Sequence, residues 1–126
     1  MKVHSQTDVG LVRTLNEDAC RTGLLGENGA WAVVCDGMGG ANGGEIASET
    51  AVKSIEEQIL ASYEEDFKSE EMKLMLSTLI FHANSAVYDM AQENESLKGM
   101  GTTIVVAIVL DNVAHIAHAG DSRAYW

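Results

Sequence analysis

A single carboxylate, Asp36, stands where the apolar run Trp31–Cys35 gives way to Gly37-Met38-Gly39-Gly40, with Gly43 and Gly44 close behind. Five glycines within eight residues let the backbone approach a ligand more closely than any side chain permits. An acid at a strand end, beside unshielded carbonyl oxygens, is a donor set suited to hard cations such as Mg²⁺ or Mn²⁺. The same residues can also be read as a tight strand-to-helix turn with a solvated Asp. Upstream, Arg13, Glu17 and Asp18 fall close together, and Arg13 and Glu17 are spaced to form a surface ion pair.

These residues need elements to hold them. Residues 2–8 are consistent with an edge strand. Turn signals at Gly26, Asn28 and Gly29 predict that Cys20–Leu25 and Ala30–Cys35 pair as a hairpin. From Glu45 to about Ser62, Ala47, Ala51, Ile55 and Ile59 recur every four residues, while Glu45, Glu49, Lys53 and Glu56 lie on another face. Glu49 and Lys53 are spaced as a helical ion pair. After a break over 63–68, Ser69 is the expected cap of a second helix running to about Asn94. Its core stripe is Met72, Met75, Leu76, Leu79, Ala83, Ala86, Val87 and Met90. Residues 95–101 read as a loop, 102–110 and 113–119 as strands joined by an Asp111-Asn112 turn, and 123–126 as the start of another strand. The order β-β-β-α-α-β-β-β, linked by hairpins rather than crossovers, predicts an α+β fold with antiparallel sheet.

Composition narrows the chemistry. Eight basic against nineteen acidic residues give a formal charge of −11, which repels phosphate backbones and argues against nucleic-acid binding. It repels a phosphorylated protein equally, unless bound cations invert the local sign. At 126 residues the chain fits one domain with a real core. No apolar run is long enough for a transmembrane helix, and the N-terminus lacks a signal peptide's apolar segment, so no membrane association and a cytoplasmic location are expected. Cys20 and Cys35 are not spaced as a zinc or redox motif, and both are expected reduced and at least partly buried. His115 and His118 lack metal-pair spacing and are expected to be structural or exposed.

Four motifs follow one another: Thr7-Asp8-Val9-Gly10 through Arg13 to Asn16-Glu17-Asp18; Asp36-Gly37-Met38-Gly39-Gly40; Gly99-Met100-Gly101-Thr102-Thr103; and Gly120-Asp121-Ser122-Arg123-Ala124-Tyr125. Together they resemble the N-terminal half of the metal-dependent Ser/Thr protein phosphatases, the type-2C family, in its bacterial form. The resemblance implies part of a four-layer α-β-β-α sandwich of antiparallel sheets, with residues 1–126 as the N-terminal portion of one phosphatase domain whose C-terminal half is absent.

The resemblance also implies roles. Asp36 would bridge two Mn²⁺ or Mg²⁺ ions, and the Gly37 carbonyl would ligate one of them. Glu17 would act through water, with Asp18 behind it, and Asp121 would help hold a third ion. Arg13 matches the family's phosphate-binding arginine, and its planar guanidinium suits two phosphoryl oxygens. Paired cations acidify a shared water and neutralise phosphoryl oxygens. The implied partners are Ser/Thr-phosphorylated proteins, including a cognate Ser/Thr kinase. Met38 stands where eukaryotic relatives carry a histidine, and two further aspartate ligands belong to the family's C-terminal half.

Two other readings compete. A nucleotide-binding module also uses a strand, a Gly-rich loop and a helix, but Asn42 stands where the dinucleotide fingerprint requires Gly, and no Gly-Lys-Ser/Thr follows. A non-catalytic regulatory or interaction fragment of the same fold is the second.

Overall fold

In the computed structural model of this chain, residues 1–40, 42–64 and 67–126 are described. The sheet is antiparallel, built from β1 (Asp18–Leu25), β2 (Gly29–Met38), β3 (Gly101–Thr102), β4 (Ile104–Leu110) and β5 (Val113–Ala119), in the order β1-β2-β4-β5 with β3 on the end of β2. Two helices, α1 (Gly43–Ser62) and α2 (Ser69–Glu93), separate the hairpins, and a 3-10 turn at Glu95–Leu97 follows α2. The fold is α+β with antiparallel sheet, as predicted.

Strand alternation explains which face meets the helices. Trp31, Val33 and Cys35 of β2, Ala19 and Leu25 of β1, and Ile104, Val106 and Ile108 of β4 share one buried cluster with both helices. On the other face Leu24, Val34 and Ile116 are about half exposed. The predicted α1 stripe holds: Ala47, Ala51, Ile55 and Ile59 are fully buried. The α2 stripe holds from Met72 to Ala83, then shifts. Val87 and Ala91 are buried, Ala86 is half-buried, and Met90 is exposed, because a 3.6-residue period rotates out of a fixed column over seven turns. The Asp111-Asn112 turn is as expected. Both residues have positive φ (46° and 67°), which a two-residue hairpin loop requires, and Leu110 pairs with Val113.

Several expectations are corrected. Residues 2–8 form no strand; their polar side chains bond locally instead, with Gly10 N–H donating to Asp8 Oδ1 at 2.7 Å and Asn16 Nδ2 to Thr7 Oγ1 at 2.8 Å. Residues 123–126 form no strand either, because Gly120 at φ 100° turns the chain off the β4–β5 ladder. Ser69 is the first helical residue rather than the cap; Lys68 caps α2, and its N–H donates to Glu71 Oε2 at 2.7 Å. Of the break expected over 63–68, residues 65 and 66 lie outside the described residues. The α1 helix starts at Gly43, not Glu45. Glu49 pairs with Arg21 of β1 at 2.6 Å rather than with Lys53, which lies 3.9 Å from Glu57. Both pairs are exposed and each is worth under about 1 kcal/mol. Glu56 is half-buried.

Cys35 is fully buried and Cys20 half-buried, and both are free thiols. Burial pushes the Cys35 thiol up to about 12, so it stays protonated and inert. His115 faces Ile108 and His118 faces Val105, and these neighbours lie on opposite faces of β4. Trp31 packs its indole on Gly23, where a Cβ would collide with it, and its Nε1 is buried without a partner among the described residues. No described helix is long and apolar enough to cross a membrane.

Truncating Ile55 or Leu79 to Ala is expected to cost about 2–5 kcal/mol in urea unfolding, because each deletion leaves a cavity in a closed core. Glu57→Ala, on the exposed side of α1, should stay within about 0.5 kcal/mol. Equal effects at the three positions would contradict this core.

Candidate metal centre

The acids meet at one end of the sheet. In the β1–β2 ladder Asp18 lies directly opposite Asp36, on the face away from the helices. The pairing runs one residue further, with Gly37 N–H donating to the Glu17 carbonyl at 3.0 Å. Asn16 starts β1 by accepting the Asp18 N–H on its side-chain oxygen at 3.0 Å.

On its other side Asp36 is held by Thr103. The Thr103 N–H donates to the Asp36 carbonyl at 2.9 Å, and the Asp36 N–H donates to Thr103 Oγ1 at 3.0 Å. Thr102 Oγ1 lies 3.1 Å from the same Asp36 carbonyl and 3.0 Å from the Thr103 carbonyl, so its single proton is divided between the two. This is why the strand predicted over 102–110 is split at Thr103.

Gly37 is buried beneath this point and touches the first turn of α1. A Cβ on Gly37 would run into the Gly44 carbonyl, and one on Gly44 would run into the Glu17 carboxylate. Only paired glycines allow this approach. It seats Glu17 at the positive end of α1, where an anion is favoured. Arg13, largely exposed, lies with Nη1 3.5 Å from Glu17 Oε2. The surface ion pair that their spacing permits is therefore present.

The electrostatics mark the site. Burial pushes the Asp18 carboxyl above its ordinary value of 3.8. The facing Asp36 charge, a side-chain hydrogen bond with Asp36 and the Glu17 charge push it further, while Arg13 opposes them. Two opposed carboxylates are a liability in a bare sheet, and a divalent cation relieves it with the oxygen ligands such ions prefer. The residues present fit a hard cation. Among the described residues, however, no group of three His, Cys, Asp or Glu side chains forms a ready-made cage.

Asp18, Asp36, Gly37, Glu17 and Arg13 are thus brought together. Asp121 is exposed and sits in a turn anchored on Thr103 from both sides: Gly120 packs against it, and Ser122 Oγ lies 2.6 Å from Thr103 Oγ1. Thr103 and Ser122 lie inside two of the sequence motifs, which by themselves give neither residue a task. Only the strand register puts Thr103 opposite Asp36.

Residues 12–126 match the family described as Protein phosphatase 2C. The chain belongs to the protein phosphatase 2C family. It is 34% identical to the Serine/threonine phosphatase stp of Listeria monocytogenes over 128 residues, covering 99% of this chain and 49% of that protein. The solved structure of Serine/threonine phosphatase Stp1 from Staphylococcus aureus superposes with a TM-score of 0.84 at 37% identity, over 94% of this chain and 46% of that one. The catalytic domain of the phosphatase PstP, solved in complex with 2 manganese ions, superposes at 0.73 and 31% identity, over 94% of this chain and 47% of that one. This phosphatase-family chain thus spans about half the length of these relatives. Residues of its motifs, Glu17, Asp18, Asp36 and Gly37, meet at one sheet end.

Because the Asp18 pKa is raised on folding, the folded state is favoured below the ordinary carboxylate value, and that advantage is lost as pH rises through the raised value. In chelator at pH 7, Asp18→Asn should therefore be more stable than wild type. The gain should not exceed about 1 kcal/mol, since the pair is solvent-screened. It should vanish as pH falls below 3.8. Urea unfolding across pH checks this, and a variant less stable than wild type at pH 7 would contradict the pairing.

Proposed function

We propose that this chain carries the N-terminal share of a metal-dependent phosphatase that hydrolyses phosphoserine and phosphothreonine in proteins, a cognate Ser/Thr kinase among them. The carrying observation is the Asp18–Asp36 pair at the sheet end, with Arg13 beside it, in a chain homologous to Ser/Thr phosphatases. Asp36 and the Gly37 carbonyl would hold Mn²⁺ or Mg²⁺, two ions in all, with Glu17 acting through water and Asp18 behind. Asp121 would serve a third ion. Divalent cations, when bound, supply charge neutralisation at phosphoryl oxygens and an acidified water near neutral pH.

The chain's own residues do the rest. Arg13 is largely exposed and its ion pair with Glu17 is long, so it can turn its guanidinium to the phosphoryl oxygens. Glu17, fixed against Gly44, leaves the α1 N-terminus occupied by a carboxylate. That opposes the nucleotide-cradle reading, because a phosphate there would meet a like charge. With a charge of −11 the surface repels phosphoproteins, so the substrate approaches only where cations offset the acids.

In a form extended to the relatives' length, Asp36→Asn should weaken Mn²⁺ binding and cut turnover by orders of magnitude while the fold persists. Near-normal Mn²⁺-dependent activity would overturn the assignment. Arg13→Ala should mainly raise KM for a phosphopeptide, by roughly tenfold or more, since a charged hydrogen bond is worth about 1.5–3 kcal/mol. An unchanged KM with a collapsed kcat would count against that role.

One observation favours a second reading for the 126 residues alone. With no group of three ligating side chains among the described residues, they offer too little negative charge to hold two mutually repelling cations. By themselves they should be catalytically silent or nearly so, acting as a non-catalytic fragment. Phosphatase assay in excess Mn²⁺, beside the extended form, decides it. Comparable kcat/KM in both would refute the claim.

A further inference from the structure

We propose that Thr103 is a positioning residue for the cation site, through its hydroxyl rather than its packing, and that Ser122 ties the Asp121 turn to the same hydroxyl. The inference rests on Asp36 being a metal ligand. Asp36 and Thr103 share the register of β2 against β3 and β4, because Val34 pairs with Val105 and Gly37 with Thr102. At such a pair an antiparallel ladder exchanges two backbone hydrogen bonds. Here one survives, Thr103 N–H to the Asp36 carbonyl at 2.9 Å. The other is replaced: Asp36 N–H donates to Thr103 Oγ1, while the Thr103 carbonyl, 3.0 Å from Thr102 Oγ1, shares that hydroxyl's single proton with the Asp36 carbonyl.

The substitution is built in. Thr103 is one of two buried polar side chains among the described residues. Its hydroxyl accepts from Asp36 and lies 2.6 Å from Ser122 Oγ, so one oxygen joins the Asp36 peptide to the residue after Asp121. Gly120 seals the contact, since a Cβ there would lie 2.8 Å from Thr103 Cγ2. The peptide that carries Asp36 is thus oriented by a side chain 67 residues away. Partners bonded directly to metal ligands are worth about 10–100-fold in metal affinity; Thr103 acts one step further back, on the Asp36 backbone N–H, so a loss near the low end of that range is expected.

The test uses Thr103→Val, which keeps the β-branched shape and removes the hydroxyl, beside Thr103→Ser, which keeps the hydroxyl. Two readouts are taken on the full chain: amide hydrogen exchange at Asp36 by NMR in chelator, and Mn²⁺ affinity by electron paramagnetic resonance. The valine variant should lose exchange protection at Asp36 and bind Mn²⁺ about tenfold more weakly. The serine variant should keep the protection and most of the affinity. Ser122→Ala, which leaves the Asp36 bond in place, should give a smaller loss and covers the case in which the valine variant fails to fold. Wild-type protection and affinity in Thr103→Val, equal losses in the Val and Ser variants, or an unaltered Ser122→Ala where the valine variant does not fold, would each overturn the inference. Asp36→Asn is the control. If it binds Mn²⁺ like wild type, the metal-site reading fails, whereas loss there with no effect at Thr103 sinks only this inference.

Discussion

Two carboxylates, Asp18 and Asp36, are held face to face at the end of the β1–β2 ladder, and the sheet's register leaves them no alternative. Sliding β2 by one residue would separate them, but it would also turn Trp31, Val33 and Cys35 out of the core. Burial of those three side chains is worth several kcal/mol in total, by the usual yield per buried apolar side chain. The screened repulsion between two surface carboxylates is worth about 1 kcal/mol or less. The core therefore wins, and the repulsion persists as a local demand for positive charge. Arg13, paired with Glu17, meets it only in part.

Glycines convert this local demand into a shared site. Gly37 and Gly44 bring β2 and the first turn of α1 into backbone contact, with the Glu17 carboxylate beside them. Gly39 and Gly43 both pack against Met100, and Gly120 packs against Thr103. Segments far apart in the chain thus touch where no side chain could intervene. The glycine-rich stretch reads more convincingly as close packing around Asp36 than as a loop cradling a phosphate. Adding a Cβ at Gly37 or Gly44 would push strand and helix apart and carry Glu17 away from Asp36.

Much of this was legible in the residues. The 3.6-residue period located both helices, because apolar burial dictates it, turn residues located both hairpins, and the four motifs placed Arg13, Glu17, Asp18, Asp36 and Gly37 in one constellation. What was not legible depended on contacts between elements. Glu49 has suitable partners in Lys53 and Arg21, and only the packing of α1 on β1 selects the arginine. Residues 2–8 carry too little apolar patterning to form a strand against the local bonds of Thr7, Asp8 and Asn16. Residues 123–126 look strand-like by composition, yet Gly120 diverts them. Thr103 is one threonine among several until register sets it against Asp36.

The central claim is that the end of the β1–β2 ladder is where this chain takes up divalent cations. Paramagnetic broadening of assigned amide signals by substoichiometric Mn²⁺ tests it directly, without substrate or turnover. Selective loss of the Glu17, Asp18, Asp36 and Gly37 signals, abolished by excess chelator, is the predicted result. Broadening centred on other acidic residues, such as Glu70 and Glu71 at the start of α2, with the ladder end untouched, would contradict it.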